Sequence, residues 1–271
     1  MSGARLRPVV LSIAGSDSGG GAGIQADLKA IAAMGAWGAT AVTCLTSQNL
    51  LGVRSVQPTE PAILADQIDA VCEGFQVRAV KTGMLYSREL IEVVVDRIGQ
   101  HRPGPLVLDP VMVATSGARL LRDDAVSSLR RDLLPLAALV TPNLEEAAIL
   151  AGREVHTVPD MCEAAAAIRR LGAAAVLVKG GHLEGDAVDV LDDGSVVREL
   201  RAPRVASAGA DHGTGCTLAA AIAAGLALGM AVPDAVAAAK RLLTDALLNR
   251  SSLGGGIEAL DLFRHGGRVG D

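Results

Sequence analysis

Short apolar runs rich in Val, Ile and Leu alternate along the chain with longer stretches in which apolar residues recur at helical spacing. The short runs are predicted to be strands and the longer stretches helices. Because this alternation favours a mostly parallel sheet with helices on both faces, we expect an α/β fold. Strands are predicted at residues 9–14, 40–45, 77–81, 106–108, 138–140 and 175–178, and a hairpin at 188–192 and 195–200. Helices are predicted at residues 24–34, 61–73, 88–98, 123–133, 144–150, 160–171, 217–228 and 233–249.

No linker-like stretch or internal repeat interrupts this pattern, so we expect a single domain over residues 1–271, with a partly mobile tail from Ser251. Apolar residues make up 50% of the chain and charged residues 20%, which suits a well-buried core. Aromatic residues make up only 1%, so the core must consist of Ala, Val, Leu and Ile. Recognition of nucleic-acid bases by stacking is disfavoured for the same reason.

Charge and cysteine content narrow the function further. The net charge is −5 and no long basic run occurs, which disfavours nucleic-acid or anionic membrane surfaces as partners. The four cysteines, Cys44, Cys72, Cys162 and Cys216, form no CxxC motif and no metal-ligand spacing, which indicates a reducing compartment. The N-terminus lacks the layout of a signal peptide, and no uninterrupted apolar stretch has membrane length. We therefore expect a cytoplasmic protein.

Polar residues stand at the ends of five predicted strands: Asp17, Gln48, Lys81, Asp109 and Asn143. In open α/β sheets the ligand crevice lies outside the carboxyl ends of the strands. The sequence therefore predicts a functional site along this edge of the sheet.

A glycine-rich turn, His212-Gly213-Thr214-Gly215-Cys216-Thr217, precedes a long apolar predicted helix. Glycines at a helix start leave backbone N–H groups facing one point, and the helix dipole adds partial positive charge there. The turn is a candidate cradle for a transferring phosphoryl group, with Cys216 set into it. The alternative is an ordinary glycine turn followed by a small buried cysteine.

A second glycine-rich loop, Gly21-Ala22-Gly23-Ile24-Gln25-Ala26, fits the loose GxGxxA pattern of dinucleotide binding. Residues 43–49 contain no acidic residue to bind a ribose, and the Walker A pattern is absent. A nicotinamide site is therefore a weak alternative to a plain helix entry. Asp27, one turn into the following helix, either pairs with the helix dipole or accepts a hydrogen bond from a ligand.

Two segments that follow predicted strands admit two interpretations each. Asn143 and Glu146 form a helix cap, or else Glu146 is a carboxylate beside a metal-bound phosphate. Lys179, followed by two glycines, either contacts a phosphate or is solvated in a loop. His182 and His212 show no metal-ligand spacing.

Together these segments occur in an order that resembles the hydroxymethylpyrimidine/phosphomethylpyrimidine kinases of thiamine biosynthesis. The similarity is carried by residues 14–29, 46–49, 80–85, 108–112, 141–146, 178–182 and 212–218, within a stretch from residue 9 to residue 250. The resemblance implies a ribokinase-like α/β fold, ATP as co-substrate, Mg²⁺ and a homodimer. It also implies phosphorylation of a hydroxymethyl group first and of the resulting monophosphate second, giving the diphosphate.

The resemblance assigns the candidate site residues. Asp27 and Gln48 would hold an aminopyrimidine by hydrogen bonds. The whole substrate pocket would comprise Gly15, Asp27, Gln48, Met84, Val111 and Cys216. The nucleotide would be bound by Asn143, Glu146, Lys179, Gly213, Thr214 and Gly215, and Mg²⁺ by Asp109 and Glu146.

Three segments depart from the family pattern: Leu50, residues 207–211 and residues 254–258. These departures bear on the contacts to the nucleotide and on the range of substrates, and not on the fold. For the mechanism, we expect Lys179 and the amides of Gly213–Gly215 to neutralise the γ-phosphate together with Mg²⁺. A cysteine at a helix N-terminus often has a lowered pKa, so we expect Cys216 to accept the hydroxyl proton in the first transfer.

Three other functions stay open on the sequence. A pyridoxal or pyridoxine kinase would share the glycine and cysteine turn. An NAD-dependent oxidoreductase would rest on the GxGxxA loop. A non-catalytic pyrimidine-binding protein would keep the pocket without turnover.

Overall fold

The structure is a computed structural model that describes residues 6–49, 52–113, 117, 120–181, 183, 185–202, 204–205, 212–254 and 257–263. Nine described strands form one sheet: β1 (Val9–Asp17), β2 (Trp37–Asn49), β3 (Gly52–Pro58), β4 (Val77–Thr82), β5 (Leu106–Leu108), β6 (Ala137–Val140), β7 (Val176–Val178), β8 (Ala187–Asp192) and β9 (Val197–Ala202). Their order in the sheet is β3-β2-β1-β4-β5-β6-β7-β8-β9. The central strands from β2 to β7 in this order are parallel, which confirms the mostly parallel sheet.

Helices cover both faces of the sheet, as the sequence predicts. They are α1 (Gly23–Ala33), α2 (Pro61–Gly74), α3 (Arg88–His101), α4 (Asp123–Ser128), α5 (Leu144–Ala151), α6 (Val158–Arg170), α7 (Thr214–Ala227) and α8 (Val232–Leu248). Neighbouring strand residues point to opposite faces: Val10 and Ala79 pack with α1, α7 and α8, whereas Leu11 and Val80 pack with α2 to α6. The two helical layers thus enclose two separate apolar cores.

Helix α7 is packed closely enough to fix the position of its first turn. Of its 14 residues, 10 are buried, and most of these are alanines. Small side chains let the helix lie across β1, β4 and β5, and a Cβ atom on Gly225 would come within 2.9 Å of the Ala235 side chain on α8. The glycine turn that precedes α7 is therefore held at the carboxyl ends of the central strands.

One edge of the sheet differs from the sequence-based prediction. β2 extends to Asn49 and pairs antiparallel with β3, a strand that the pattern of apolar residues does not predict. Both strands are largely solvent-exposed along this stretch, so no alternation of buried and exposed positions marks them. Leu50 lies outside the described residues.

Two further segments differ from the sequence-based prediction. α4 ends at Ser128, and the chain continues as a π-helical turn (Leu129–Leu133) and a 3₁₀ turn (Leu134–Leu136). Pro135 has no N–H group with which to continue an α-helix here.

In the predicted mobile tail, Ser251–Gly254 (β10) and Ile257–Ala259 (β11) pair antiparallel, and residues 255, 256 and 264–271 are outside the described part. None of the helices in the described part combines the length and apolar character that a bilayer crossing requires.

Candidate active site

Polar residues that follow the central strands lie together at the carboxyl edge of the sheet. Asp17 ends β1, Lys81 lies near the end of β4, and Asp109 follows β5. Asn143 follows β6 and forms an isolated parallel bridge with Lys179, which follows β7. Because these five strands are neighbours in the sheet, the five residues line one rim.

Lys179 and Asp109 form an ion pair on this rim. Lys179 Nζ donates to Asp109 Oδ1 over 2.9 Å, and the Thr141 hydroxyl donates to the same oxygen over 3.2 Å. The Lys179 side chain is only 16% exposed, so the alternative of a solvated lysine is wrong. Burial acts to lower the pKa of Lys179, but the charges of Asp109 and Glu146 raise it, and the ammonium stays charged. A Cβ atom on Gly215 would lie 3.1 Å from Lys179 Nζ, so this cation lies directly against the glycine turn.

Asn143 and Glu146 form a complete capping box at the start of α5. Asn143 Oδ1 accepts a hydrogen bond from the Glu146 N–H over 2.9 Å, and Glu146 Oε2 accepts one from the Asn143 N–H over 2.8 Å. Burial raises the pKa of Glu146 to about 7, with Lys179 opposing the shift and Asp109 adding to it. The same carboxylate therefore caps a helix and belongs electrostatically to the site.

Asp109 and Glu146 are the candidate metal ligands. Within the described residues, no group of three or more His, Cys, Asp or Glu side chains could hold a metal ion. Mg²⁺ is commonly bound by one or two carboxylates together with substrate phosphates and water. Two buried carboxylates beside Lys179 fit an ion that arrives with a phosphate, and they do not fit an all-protein metal site.

Lys81 is fully buried and pairs with Asp27 on α1. Lys81 Nζ donates to Asp27 Oδ1 over 2.7 Å and to Oδ2 over 2.8 Å, and the Ser12 hydroxyl donates to Oδ2 over 2.5 Å. Burial acts to lower the pKa of Lys81, but the charges of Asp27 and Asp109 raise it. Lys81 is therefore charged. Burial raises the pKa of Asp27 against the opposing charge and hydrogen bond of Lys81, and Asp27 faces the interior and not the helix dipole. The sequence analysis placed Lys81 on the rim but assigned it no partner, although a lysine within an apolar strand requires a buried acid.

Cys216 lies in the first turn of α7 and is partly exposed. Burial raises its pKa to about 11; Lys81 acts to lower the pKa, and Asp27 and Asp109 act to raise it. The prediction of a lowered pKa at this helix N-terminus is therefore wrong. Loss of solvent and two nearby carboxylates outweigh the helix dipole and the one cation. At neutral pH Cys216 is a thiol in this structure.

Gly15, Met84 and Val111, which the resemblance assigns to the substrate pocket, lie side by side. A Cβ atom on Gly15 would come within 3.2 Å of Met84 Sδ. Met84 belongs to a small buried apolar cluster against which Val111 packs. A Cβ atom on Gly83, the residue before Met84, would lie 2.9 Å from Lys81 Nζ. The three residues thus form an apolar wall that borders on the buried ion pair.

Asp17 binds the glycine-rich loop that precedes α1. Its Oδ1 atom accepts a hydrogen bond from the Gly19 N–H over 2.8 Å, and its Oδ2 atom accepts from Gly21 over 3.0 Å and from Ala22 over 2.8 Å. Backbone amides of this loop are the groups that would bind a pyrophosphate in a dinucleotide site. Because the Asp17 carboxylate already accepts the hydrogen bonds of these amides, they are not available to a pyrophosphate. The oxidoreductase alternative therefore has no dinucleotide-binding loop here. Sequence reasoning missed this role, although Asp followed two residues later by Gly is typical of an Asx turn.

Gln48 and His212 join Asp17 on the same side of the rim. His212 Nε2 lies 3.1 Å from Asp17 Oδ2 and 3.3 Å from Gln48 Nε2. Gly213 has a φ of 81°, and a Cβ atom there would lie 1.8 Å from the carbonyl oxygen of Gly21. The two glycine segments therefore pack in direct contact. His182 and residues 207–211 lie outside the described residues.

Comparison with solved structures defines the class of protein. The pyridoxal kinase of Bacillus subtilis, in an ADP complex, has a TM-score of 0.86 at 37% identity, covering 95% of this chain and 98% of that chain. A phosphomethylpyrimidine kinase from Clostridium difficile has a TM-score of 0.80 at 41% identity, covering 89% of this chain and 100% of that chain. The fold is that of the ribokinase-like kinases of small molecules.

Sequence comparisons give the family. The family model for phosphomethylpyrimidine kinase matches residues 17–261. The hydroxymethylpyrimidine/phosphomethylpyrimidine kinase of Rhizobium meliloti is 52% identical over 245 residues, which are 89% of this chain and 91% of that protein. The chain belongs to the phosphomethylpyrimidine kinase family, and the prediction of a phosphotransferase is confirmed.

A further relative is longer than this chain. The thiamine biosynthesis bifunctional protein of Geobacter sulfurreducens is 49% identical over 251 residues, which are 92% of this chain and 51% of that protein. The chain therefore spans about half the length of this relative.

Proposed function

We propose that the protein transfers the γ-phosphoryl group of ATP to the hydroxymethyl group of 4-amino-5-hydroxymethyl-2-methylpyrimidine, and a second one to the resulting monophosphate, in thiamine biosynthesis. The observation that carries this proposal is the Lys179–Asp109 pair lying directly against Gly215 at the start of α7. Lys179 and the N-terminus of α7 thus bring positive charge to the same place. This arrangement suits the negative charge of a transferring phosphoryl group.

On the substrate side, the apolar wall of Gly15, Met84 and Val111 would contact the pyrimidine ring, and Asp27 and Gln48 would form its hydrogen bonds. The Asp27 carboxylate has about four lone-pair sites. Lys81 and Ser12 use three of these sites. We assign the remaining site to the amino group of the pyrimidine.

On the nucleotide side, Asn143, Glu146 and Lys179 would contact ATP, and the amides of Gly213, Thr214 and Gly215 would hold the transferring group. Asp109 and Glu146 would hold Mg²⁺, which, when bound, neutralises phosphate charge. The Lys179 ammonium contributes a fixed positive charge at the same place, because its ion pair with Asp109 keeps it oriented.

We assign Cys216 as the proton acceptor in the first transfer. Since the pKa of Cys216 is about 11, the thiol holds its proton at neutral pH, and the minor thiolate form would take the hydroxyl proton. Lys81 favours this thiolate electrostatically. The second transfer starts from an anionic phosphate and needs no base.

A second candidate activity is phosphorylation of pyridoxal. It is favoured by the similarity to pyridoxal kinase structures, such as that of Staphylococcus aureus in complex with pyridoxal, with a TM-score of 0.87 at 32% identity over 97% of this chain and 94% of that chain.

We also propose that the chain forms one domain, that the protein is a homodimer and that it is located in the cytoplasm. The four free cysteines suit a reducing compartment.

The test is ADP release from Mg·ATP with hydroxymethylpyrimidine, its monophosphate and pyridoxal, measured in parallel. Turnover of both pyrimidines, with little turnover of pyridoxal, is the expected result. Turnover of pyridoxal alone would move the assignment to vitamin B6 salvage. No turnover of any of the three would favour the non-catalytic pyrimidine-binding alternative.

A further inference from the structure

His212 contacts polar side chains from two other parts of the chain. Its Nε2 atom lies 3.1 Å from Asp17 Oδ2 at the end of β1 and 3.3 Å from Gln48 Nε2 near the end of β2. The His212 and Asp17 side chains are 13% and 3% exposed. The phosphoryl transfer proposed above uses neither of them, and the loop amides that Asp17 binds do not account for a buried histidine beside Gln48.

The surroundings of Asp17 determine which ring nitrogen of His212 carries hydrogen. Asp17 accepts three backbone N–H bonds from the glycine-rich loop. Burial acts to raise the pKa of Asp17, but the bonds from His212 and from the loop hold it below its ordinary value, so the carboxylate is ionised at neutral pH. An ionised carboxylate only accepts hydrogen bonds. His212 must therefore donate from Nε2, whether its ring is neutral or charged.

This hydrogen in turn determines the orientation of the Gln48 amide. The oxygen and nitrogen of a side-chain amide exchange places by a half turn, and their hydrogen-bond partners decide between the two orientations. The structure places Gln48 Nε2 3.3 Å from His212 Nε2, where two donors would face each other. The one hydrogen on His212 Nε2, shared between Asp17 and Gln48, therefore requires the amide to be turned by a half turn so that its oxygen lies there. At the other end, Thr46 Oγ1 lies 3.2 Å from Gln48 Oε1, but its single hydrogen goes to the Ser16 carbonyl over the shorter distance of 2.9 Å. Thr46 is then an acceptor towards Gln48 and requires the amide nitrogen.

The backbone of Gln48 is already fixed by a different residue. The Ser18 hydroxyl donates to the Gln48 carbonyl over 2.6 Å and accepts from the Gln48 N–H over 2.8 Å. Only the side-chain amide is left to be oriented, and both of its neighbours select the same orientation.

We propose that His212, held by Asp17, is a positioning residue that keeps the amide nitrogen of Gln48 available as a hydrogen-bond donor to a ring nitrogen of the substrate. One amide hydrogen bonds Thr46, and the second is left for the ligand. A ring with C–H in place of that nitrogen is rejected because the amide donor would stay unpaired. His212 thus supports discrimination between heteroaromatic rings. The identity of the ligand rests on the proposed function, whereas the hydrogen position on His212 does not.

The first test is the tautomer of His212. A two-bond ¹H–¹⁵N correlation spectrum of the full chain, labelled with ¹⁵N-histidine, is recorded at pH 8. The chain has five histidines, and the spectrum of the His212→Phe variant assigns the signal. Hydrogen on Nε2 is expected. Hydrogen on Nδ1 alone would overturn the proposal, whatever the activity of the protein.

The second test measures ring discrimination by calorimetric binding, which needs no turnover. The probes are hydroxymethylpyrimidine and the two aminopyridine analogues that each lack one ring nitrogen. Wild type is expected to bind one analogue about tenfold or more weakly than the pyrimidine, and His212→Phe is expected to bring this ratio close to one. A variant that binds all three rings more weakly but keeps the ratio would overturn the positioning role.

His101→Phe is the matched control. His101 Nε2 lies 2.6 Å from Asp69 Oδ1, between α3 and α2 and outside the site, so this variant removes a similar pair. It is expected to leave the ratio unchanged. Failure of wild type to bind any of the three rings would overturn the proposed function and the assigned ligand, and the spectrum would still decide the link between His212 and Asp17.

Discussion

Lys81 Nζ lies 2.7 Å from Asp27 Oδ1, and neither side chain is exposed to solvent. The pair joins β4 to α1 inside the protein, with the Ser12 hydroxyl as a third member. Arg88 and Glu92 on the surface of α3 are also 2.7 Å apart, but their side chains are 55% and 48% exposed. The two pairs differ in burial and not in separation, so together they test what burial does to an ion pair.

Replacing Lys81 by Met leaves the Asp27 carboxylate buried without its cation. The free energy of unfolding, measured by urea denaturation at pH 7, is expected to fall by about 3–5 kcal/mol. Arg88→Met is expected to change it by less than about 1 kcal/mol, because water screens exposed charges. Similar small losses in both variants would contradict the buried ion pair.

The layered fold could be predicted because strand residues alternate between two apolar cores. Val10 and Leu11 are both fully buried, each against a different helical layer, and such runs of apolar residues are typical of central parallel strands. β3 could not be predicted in this way. It is held by its antiparallel pairing with β2 and is exposed on much of its surface, so its residues carry no burial pattern.

The rim of the site was also predictable, because the carboxyl ends of parallel strands meet at one edge of a sheet. The partners within the rim were not. His212 and Asp17 are 195 positions apart, and only the packing of the glycine turn on the glycine-rich loop brings them together. The prediction of a lowered pKa for Cys216 was wrong for a similar reason. This pKa depends on Asp27 and Asp109, which the sequence around the helix N-terminus does not reveal.

Gly213 is a position where a side chain should disrupt the site. With a φ of 81° and a Cβ position 1.8 Å from the Gly21 carbonyl oxygen, Gly213→Ala forces the glycine turn away from the loop. We expect kcat/KM for ADP release to fall by about 100-fold or more. Gly99 lies in α3 with no atom within 4 Å of its Cβ position, so Gly99→Ala is expected to stabilise the protein by about 0.5–1 kcal/mol at unchanged activity. Wild-type kinetics in Gly213→Ala would show that the turn does not need this contact.

Two helices begin with the same kind of capping box, and only one of them is in the site. Asn143 and Glu146 cap α5 at the rim, whereas Thr157 and Asp160 cap α6 at the surface. Asn143→Ala and Thr157→Ala are each expected to lower the free energy of unfolding by about 1 kcal/mol. Only Asn143→Ala should also raise the Mg²⁺ concentration needed for half-maximal ADP release, because it releases Glu146 from its fixed position. An equal Mg²⁺ requirement in the two variants would limit Glu146 to capping.

The raised pKa of Cys216 should make the first transfer depend on pH and leave the second independent of it. With a pKa of about 11, the thiolate fraction rises with every step in pH from 7 to 9, by about tenfold per unit. Single-turnover ADP release with hydroxymethylpyrimidine should rise in proportion, whereas release with the monophosphate should not, because that nucleophile is already anionic. Cys216→Ala should abolish the rise and slow the first transfer far more than the second. Cys162→Ala on α6, which removes a partly exposed thiol outside the site, should change neither. Equal losses in both transfers for Cys216→Ala would exclude proton transfer through this residue, and the cysteine would then serve only as part of the pocket wall.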